Sequence, residues 1–515
     1  MNSYIKIFLT IIVLLFAANS VKAQRLIEYE AGMGSRDASL PDTWILYQKV
    51  KAMHEGMVLY ADSALLNTVQ NDFTAFRNIK IVLTDTTTIY GSHLLYNGNT
   101  RIVDIWGDTV TLIDGATILK TDRLSFDRNT STAYYTNWGH TVNNYDTVDS
   151  RVGRYNTEIK EFYLYNEVVL KDSASQLMTD TLVYNTITSI ANFASPTRIY
   201  SDSTTLYSES GFYNTKQHYA MSYKESRVRS GQKRLLCDTL HYYEDTQFGR
   251  AYGNVAIFDS LNDIACYGRY GESDQTRQFS FVTDSALVIF VDKGDSLFMH
   301  ADTIYATHNE EQEIETIRAN YGVRLFRVDV QGLCDSAFYA VKDSLLTLYH
   351  SPVIWYDSFQ CAADTIELFM EHKGVKLAKL KSNSFAIGQC DPDKFNQIKG
   401  KNTNVYFLEG EPTYADVLGS AQMVYYVTED DPKGLPDAKG NKPQLLVGVN
   451  VGMGANMRIY FSERQPTRVS TFGNPDMNTY PLSLLPPEKK QLPGFNWQSD
   501  KRPRDRHQVF MTKKR

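Results

Sequence analysis

The sequence has little of what catalytic, metal-binding or disulfide-bonded proteins depend on. Its five cysteines are an odd number with no C-x-x-C pair, so a disulfide framework is not expected. The ten histidines form no H-E-x-x-H motif, and the motifs G-x-S-x-G and G-x-x-x-x-G-K-[ST] are missing. Basic residues are not interleaved with aromatic ones as in nucleic-acid-binding modules. The sequence therefore predicts no enzymatic activity, no cofactor, no metal and no nucleic-acid partner, and the cysteines are interpreted as small apolar core residues.

Long hydrophobic runs are also scarce. An apolar run of twelve residues spans positions 7–18, follows Lys6 and precedes the small-residue exit at positions 21–23. This run is too short to cross a bilayer and is typical of a secretory signal peptide, predicted here as residues 1–23. Because no later stretch reaches spanning length, we expect an exported protein in the periplasm. There it is either free or associated with the outer membrane.

What the sequence does contain is a repeat. A short phrase, in which a small or acidic residue precedes an aliphatic and then an aromatic residue, recurs eleven times at a spacing of about 29 residues. Such regularity is typical of a stacked array. The phrases begin at Asp62, Ser92, Asp122, Arg151, Asp180, Glu209, Asp238, Cys266, Asp302, Asp335 and Asp364.

Between the phrases, β-rich bursts alternate apolar and polar residues with a period of two, which predicts half-buried strands. They include residues 78–83, 108–113, 253–258 and 352–356, and no convincing helical pattern occurs over residues 56–388. The predicted fold is therefore all-β, an elongated repetitive array of about eleven repeats with a β-rich C-terminal extension. The predicted domains are a signal peptide at 1–23, a lead-in at 24–55, the repeat array at 56–390, an extension or cap at 391–470 and a Pro-rich basic tail at 471–515.

The Asp at seven of the eleven phrase positions could suggest catalytic carboxylates. An active site is local, however, whereas this Asp occurs on most repeats. We therefore interpret it as a turn-closing residue that bonds neighbouring backbone groups. The aliphatic and aromatic positions behind it leave two alternatives open, because they either pack a closed core or line an apolar groove.

The sequence pattern of the repeats resembles that of the organic-solvent-tolerance, or OstA-like, family of periplasmic lipopolysaccharide-transport proteins. The copies that carry the resemblance are T-D-T-L-V-Y-N at residues 179–185, A-D-T-I-Y at 301–305 and A-D-T-I at 363–366, with G-N-V-A-I at 253–257. The resemblance implies a V-shaped β-jellyroll, or β-taco, that shields lipid A acyl chains in an apolar groove. It also implies edge-to-edge β pairing with inner-membrane and outer-membrane lipopolysaccharide-transport proteins, and self-association.

On this interpretation the protein is a periplasmic lipopolysaccharide-binding bridge. The candidate groove residues are Leu124, Phe126, Val168, Leu170, Leu182, Tyr184, Leu240, Tyr242, Val255, Ile257, Val323 and Leu325. The main alternative is an exported structural or adhesive β-solenoid without lipid cargo, and a third is a carbohydrate-active β-helix.

The C-terminal tail is distinct in charge. Residues 486–515 contain nine Lys or Arg residues and three acidic ones, whereas the whole chain has a net charge of −6. This tail is expected either to be a solvated end or to meet phosphate groups, an acidic partner or an outer-membrane translocon.

Overall fold

A computed structural model describes residues 26–202, 204–291, 296–371, 374–435 and 443–510. The predicted signal peptide lies outside these residues. Of the described residues, 71% lie in strands, and these residues form 38 strands, all paired in antiparallel fashion. Within these ranges no helix is long and apolar enough to cross a membrane. The predicted fold class, an all-β repetitive jellyroll-like array, is confirmed.

The chain divides into two compact units, with unit 1 ending at Glu225 and unit 2 beginning at Ser226. The strands of unit 1 are β1 (Glu28–Glu30), β2 (Met33–Arg36), β3 (Thr43–His54), β4 (Met57–Asn67), β5 (Asp72–Val82), β6 (Thr87–Asn97), β7 (Ile102–Asp114), β8 (Thr117–Asp127), β9 (Thr132–Tyr135), β10 (Gly139–Asn143), β11 (Asp146–Ser150), β12 (Val152–Asn156), β13 (Glu161–Lys171), β14 (Ser175–Asn185), β15 (Ile190–Phe193), β16 (Thr197–Ser201), β17 (Thr204–Ser208), β18 (Ser210–Asn214) and β19 (Tyr219–Lys224).

Unit 2 continues the pattern and ends in a segment without strands. Its strands are β20 (Ser226–Ser230), β21 (Lys233–Cys237), β22 (Thr239–Tyr243), β23 (Phe248–Asp259), β24 (Ile264–Asp274), β25 (Phe279–Phe290), β26 (Leu297–His308), β27 (Ile314–Phe326), β28 (Val330–Ala340), β29 (Leu345–Tyr349), β30 (Val353–Tyr356), β31 (Phe359–Ala362), β32 (Thr365–Glu371), β33 (Gly374–Asp391), β34 (Lys394–Leu408), β35 (Glu411–Asp430), β36 (Gln444–Ser462), β37 (Gln465–Phe472) and β38 (Asp476–Pro481). Four 3₁₀ helices follow at Leu482–Leu484, Pro487–Lys489, Ser499–Lys501 and Arg506–Phe510.

Most long strands bend at a corner near their middle. In β4 the buried side chains are at Leu59 and Ala61 before the corner, and at Ala64 and Leu66 after it. The pairing register shifts at the same place, between Tyr60 and Ser63. The alternation of buried and exposed side chains is therefore shifted by one residue at the corner. Because of this shift, both halves of the strand turn their apolar side chains towards the same interior.

The corners divide each unit into two facing walls. In unit 1, wall 1A contains β10, β11, β16 and β17, and wall 1B contains β9, β12, β15 and β18; the long strands contribute one half to each wall. In unit 2, wall 2A contains β20, β21, β30 and β31, and wall 2B contains β22, β29 and β32. Each wall is too thin to bury an apolar face alone, so the two faces cover each other.

The repeated Asp residues lie at these corners. The Asp62 carboxylate accepts a 2.7 Å hydrogen bond from the side-chain amide of Asn78, which has a positive φ of 47°. The carboxylate of Asp364 accepts bonds of 3.0 and 3.2 Å from Asn383 in the same way. Asn tolerates the left-handed region better than most residues, and the Asp fixes it there. Asp122 and Asp238 likewise accept a bond from an Asn side chain, at Asn137 and Asn254. These four Asp residues thus support corners, although their partner is a side-chain amide rather than a backbone N–H.

Candidate functional site

The interior of unit 1 is packed. Six of the predicted groove residues lie there, and each is at most 3% exposed between walls 1A and 1B. These residues are Leu124, Phe126, Val168, Leu170, Leu182 and Tyr184. Of the two alternatives that the sequence leaves open, unit 1 adopts the closed core.

A row of polar contacts joins the two walls of unit 1 where their hairpin tips meet. We call this row the lip seam and define it by the cross-wall pairs Tyr96–His54, Tyr155–Asp114, Tyr184–Asp146 and Tyr213–Asp172. In each of these pairs the tyrosine belongs to wall 1B and its partner to wall 1A, at distances between 2.6 and 2.7 Å. A buried tyrosine requires a hydrogen-bond partner for its hydroxyl. Because each partner lies on the opposite wall, these hydrogen bonds hold the two walls together.

Asp114 is a charged member of the lip seam whose side chain is fully buried. One of its carboxylate oxygens accepts bonds from Tyr155 at 2.7 Å and from Lys160 at 2.5 Å, and the other accepts a 3.0 Å bond from Thr87. A buried carboxylate is tolerated only when it is paired and hydrogen-bonded in this way. The pair Lys160–Asp114 therefore adds a cross-wall ion pair to the seam.

The environment of the seam keeps its tyrosines protonated. Burial raises the pKa of Tyr155, and the neighbouring Asp114 carboxylate raises it further. The pKa of Tyr184 is raised first by burial and then by its bond to Asp146. Each of these hydroxyls therefore remains a hydrogen-bond donor at ordinary pH, and the seam does not open by deprotonation of its tyrosines.

The other six predicted groove residues lie in unit 2. Four of them are buried at 3% exposure or less, and two, Tyr242 and Ile257, are intermediate. The buried four are Leu240, Val255, Val323 and Leu325. None of the twelve candidates is among the described residues that line the cavity of unit 2.

That cavity has a volume of about 170 Å³ and lies between walls 2A and 2B. Wall 2A contributes Ile354, Phe359 and Ile398, and wall 2B contributes Val405 and Phe407. The remaining lining is largely aliphatic but also includes the charged residues Arg327, Asp329, Asp357 and Arg464. The apolar part of a cavity of roughly this size accepts a small apolar group.

The mouth of the cavity is lined by hairpin tips that carry polar groups. The Tyr356 hydroxyl of wall 2A donates a 3.1 Å bond to the carbonyl of Gly410 in wall 2B. Arg464 binds Glu411 through two bonds of 2.6 and 2.8 Å and stacks over the Tyr356 ring at 5.6 Å. The walls are therefore joined here by a neutral bond to a backbone carbonyl, in contrast to the buried carboxylates of the lip seam.

The interpretation of the cysteines as core residues fits four of the five, because Cys237, Cys266, Cys334 and Cys361 are buried or half-buried whereas Cys390 is exposed. Burial raises the pKa of Cys266 and of Cys361 to about 12, and Cys361 lines the cavity. A thiol with so high a pKa is almost entirely protonated and unreactive at neutral pH. No group of three or more acidic, histidine or cysteine side chains that could hold a metal occurs in the part of the chain that the structure describes.

Together, the paired walls and the apolar interior between them define a repetitive β-jellyroll. Residues 26–180 and 159–234 match the sequence model of the family described as OstA-like protein. Residues 26–234 are thus similar to the OstA-like family, and the predicted resemblance is confirmed over this part of the chain. No curated protein matches the chain.

At family level this match supports a role of the lipopolysaccharide- or lipid-transport type. The match begins thirty residues before the predicted start of the array at residue 56 and ends before the cavity of unit 2. The apolar cavity therefore lies in the part of the array beyond the matched region.

Two features escaped the sequence reasoning. The partners of the seam tyrosines, Asp114, Asp146 and Asp172, were not predicted, although an inward tyrosine implies a polar partner on the facing wall. The cavity residues were also missed. The sequence pattern indicates the cavity strands at 352–356 and 404–407. It does not indicate how far apart the two walls lie, because that distance produces no periodic pattern in the sequence.

Proposed function

We propose that the protein is a periplasmic, non-enzymatic carrier of lipopolysaccharide on its way to the outer membrane, and that the cavity of unit 2 holds part of an acyl chain. The observation that carries the proposal is the apolar cavity itself, enclosed by Ile354, Phe359, Val405 and Phe407. An acyl chain gains about 0.8 kcal/mol for each buried methylene group, so an apolar cavity is a favourable site for part of such a chain. The family-level transport role supports the same cargo class.

Edge strands support a bridging arrangement with other transport proteins. Strand β37 pairs with β36 along one edge, and among the described residues no strand covers its other edge. In unit 1, β2 likewise pairs only with β3 among the described strands. Exposed edges offer unpaired backbone groups to a further strand, which is the kind of contact that edge-to-edge pairing with inner-membrane and outer-membrane partners requires.

A structural array without cargo is the second candidate, and the packed interior of unit 1 favours it. There the lip seam joins the walls over side chains such as Leu112 and Leu124, both 0% exposed. In such a protein the cavity of unit 2 would be a packing defect without a role.

Replacing Ala378 by Leu distinguishes the two candidates, because Ala378 lines the cavity and the added methyl groups would occupy it. For a carrier, the variant purified from an exporting host should retain less lipopolysaccharide than the wild type at equal or higher stability, as judged by mass spectrometry of bound lipid. The matched control is Ala256→Leu, which enlarges a half-buried alanine of the same unit that does not line the cavity. Equal lipid retention by the wild type and Ala378→Leu would favour the structural array.

A further inference from the structure

The C-terminal segment of unit 2 crosses the outer face of wall 2A as an additional layer. We call residues 490–510 the tail segment; its regular structure is limited to two short 3₁₀ helices. It extends across successive strands, from Gln397 near its start to His300, whose ring is 5.2 Å from that of Phe510. Residues 490–510 of the basic tail are therefore held on the outer face of wall 2A.

Two buried glutamines bind the main chain of the tail segment with the same geometry. Gln397 donates a 2.8 Å bond to the carbonyl of Lys490 and accepts a 2.8 Å bond from the N–H of Leu492. Gln360 donates a 2.7 Å bond to the carbonyl of Asn496 and accepts a 2.7 Å bond from the N–H of Gln498. Each amide thus satisfies a carbonyl at one position and the N–H two positions later, which is recognition of extended backbone rather than of side chains.

Side-chain contacts then fix which part of the tail segment lies at each glutamine. Phe395 of wall 2A contacts Phe495 and Trp497 of the tail segment, with ring centroids 5.2 and 5.4 Å away. A third glutamine, Gln331, accepts a 2.6 Å bond from the guanidinium of Arg502. Gln331, Gln360 and Gln397 are each at most 3% exposed beneath the tail segment.

We propose that the outer face of wall 2A is a docking site for an extended peptide, in which the tail segment is a resident and releasable ligand. The face binds peptide backbone through Gln360 and Gln397 and selects an aromatic pair spaced like Phe495 and Trp497 through Phe395. A covalently attached ligand has an effective concentration in the millimolar range, so the tail segment excludes weaker competitors from the site. A segment of another protein with the same chemistry would bind when the tail segment is released.

The experiment uses the full chain and weakens the tail segment without altering the site. The double variant Phe495→Ala/Trp497→Ala removes both aromatic anchors, and hydrogen exchange at the N–H groups of Leu492 and Gln498 reports release. The probe is a fluorescent synthetic peptide with the sequence of residues 487–510. We expect it to bind the double variant at least tenfold more tightly than the wild type, whose site is occupied.

Adding Gln360→Ala and Gln397→Ala to the double variant should abolish this binding, whereas Gln422→Ala, on a neighbouring strand of the same unit, should preserve it. The proposal is overturned if the tail segment is released but the peptide does not bind, or if binding persists without the two glutamines. It is also overturned if the tail segment of the double variant stays protected from exchange, because the tail would then be an integral layer of the fold.

Discussion

The hydroxyl of Tyr184 lies 2.6 Å from a carboxylate oxygen of Asp146, and the two residues belong to opposite walls of unit 1. Equivalent pairs occur on neighbouring rungs, at Tyr155–Asp114 and Tyr213–Asp172. The pairs lie where the walls of a V-shaped jellyroll would otherwise separate. Unit 1 is therefore a closed structure, and its aromatic repeat position supplies the closure.

Removing the hydroxyl of Tyr184 should weaken this closure. In Tyr184→Phe the Asp146 carboxylate keeps its 2.5 Å bond from Thr215 but loses a buried donor, at a cost of about 1–3 kcal/mol. The free energy of unfolding, measured by urea denaturation, tests this expectation. Tyr165→Phe is the control, because Tyr165 is 43% exposed and should change stability little. Equal effects of the two substitutions would show that the seam contributes nothing.

A charge placed in the interior of unit 1 should be far more disruptive than one placed on its surface. Leu182 is 2% exposed between the walls, so Leu182→Asp should cost at least about 3 kcal/mol. Leu95→Asp introduces the same charge at a side chain that is 42% exposed, and its effect should stay within about 0.5 kcal/mol. Thermal unfolding of the two variants measures the difference, and a small loss for Leu182→Asp would indicate a solvated groove in place of a packed core.

The repeated Asp should act through its corner Asn. A double-mutant cycle on Asp364→Ala and Asn383→Gly isolates the pair, because glycine retains the positive φ of 55° without strain. We expect a coupling energy of about 0.5 kcal/mol, typical of an exposed polar pair. Additive effects in urea denaturation would mean that the carboxylate does not support the corner.

Unit 2 should lose stability in mild acid through His308. Burial, aided by nearby Lys233, lowers the pKa of His308 to about 4, whereas an unfolded histidine titrates near 6.5. The unfolded state therefore binds the proton first, and stability falls as the pH decreases from about 6.5 to 4. The loss should be about 1–2 kcal/mol after solvent screening. His308→Gln should flatten this part of the curve of unfolding free energy against pH, and an unchanged slope would assign the acid sensitivity to other groups.

The features that recur in every repeat could be predicted from the sequence. The period of about 29 residues and the alternation around Leu124 and Leu182 indicate paired strands and inward apolar side chains. Features that depend on the separation of two walls were not accessible. The partner of Tyr184 lies 38 residues earlier in the chain, and the cavity depends on how far Ile354 and Phe407 lie apart.

The position of the tail segment on wall 2A could not be predicted from the sequence either. Its composition of Pro, Lys and Arg predicts a solvated or externally bound end, because such segments bury little apolar area. The buried amides of Gln360 and Gln397 change this outcome by binding the tail's backbone, which composition does not report. Two isolated glutamines in a β-rich sequence give no sign of this role.

The most direct test of the proposed carrier function places a photo-crosslinking benzoylphenylalanine at Phe407 or at Phe369. Both residues lie in wall 2B, but Phe407 lines the cavity whereas Phe369 lies outside it, beneath the ammonium group of Lys379. After irradiation in cells that export lipopolysaccharide, we predict a lipopolysaccharide adduct at position 407 and none at position 369. Adducts at neither position, or equal adducts at both, would contradict the proposal that the cavity of unit 2 holds part of an acyl chain.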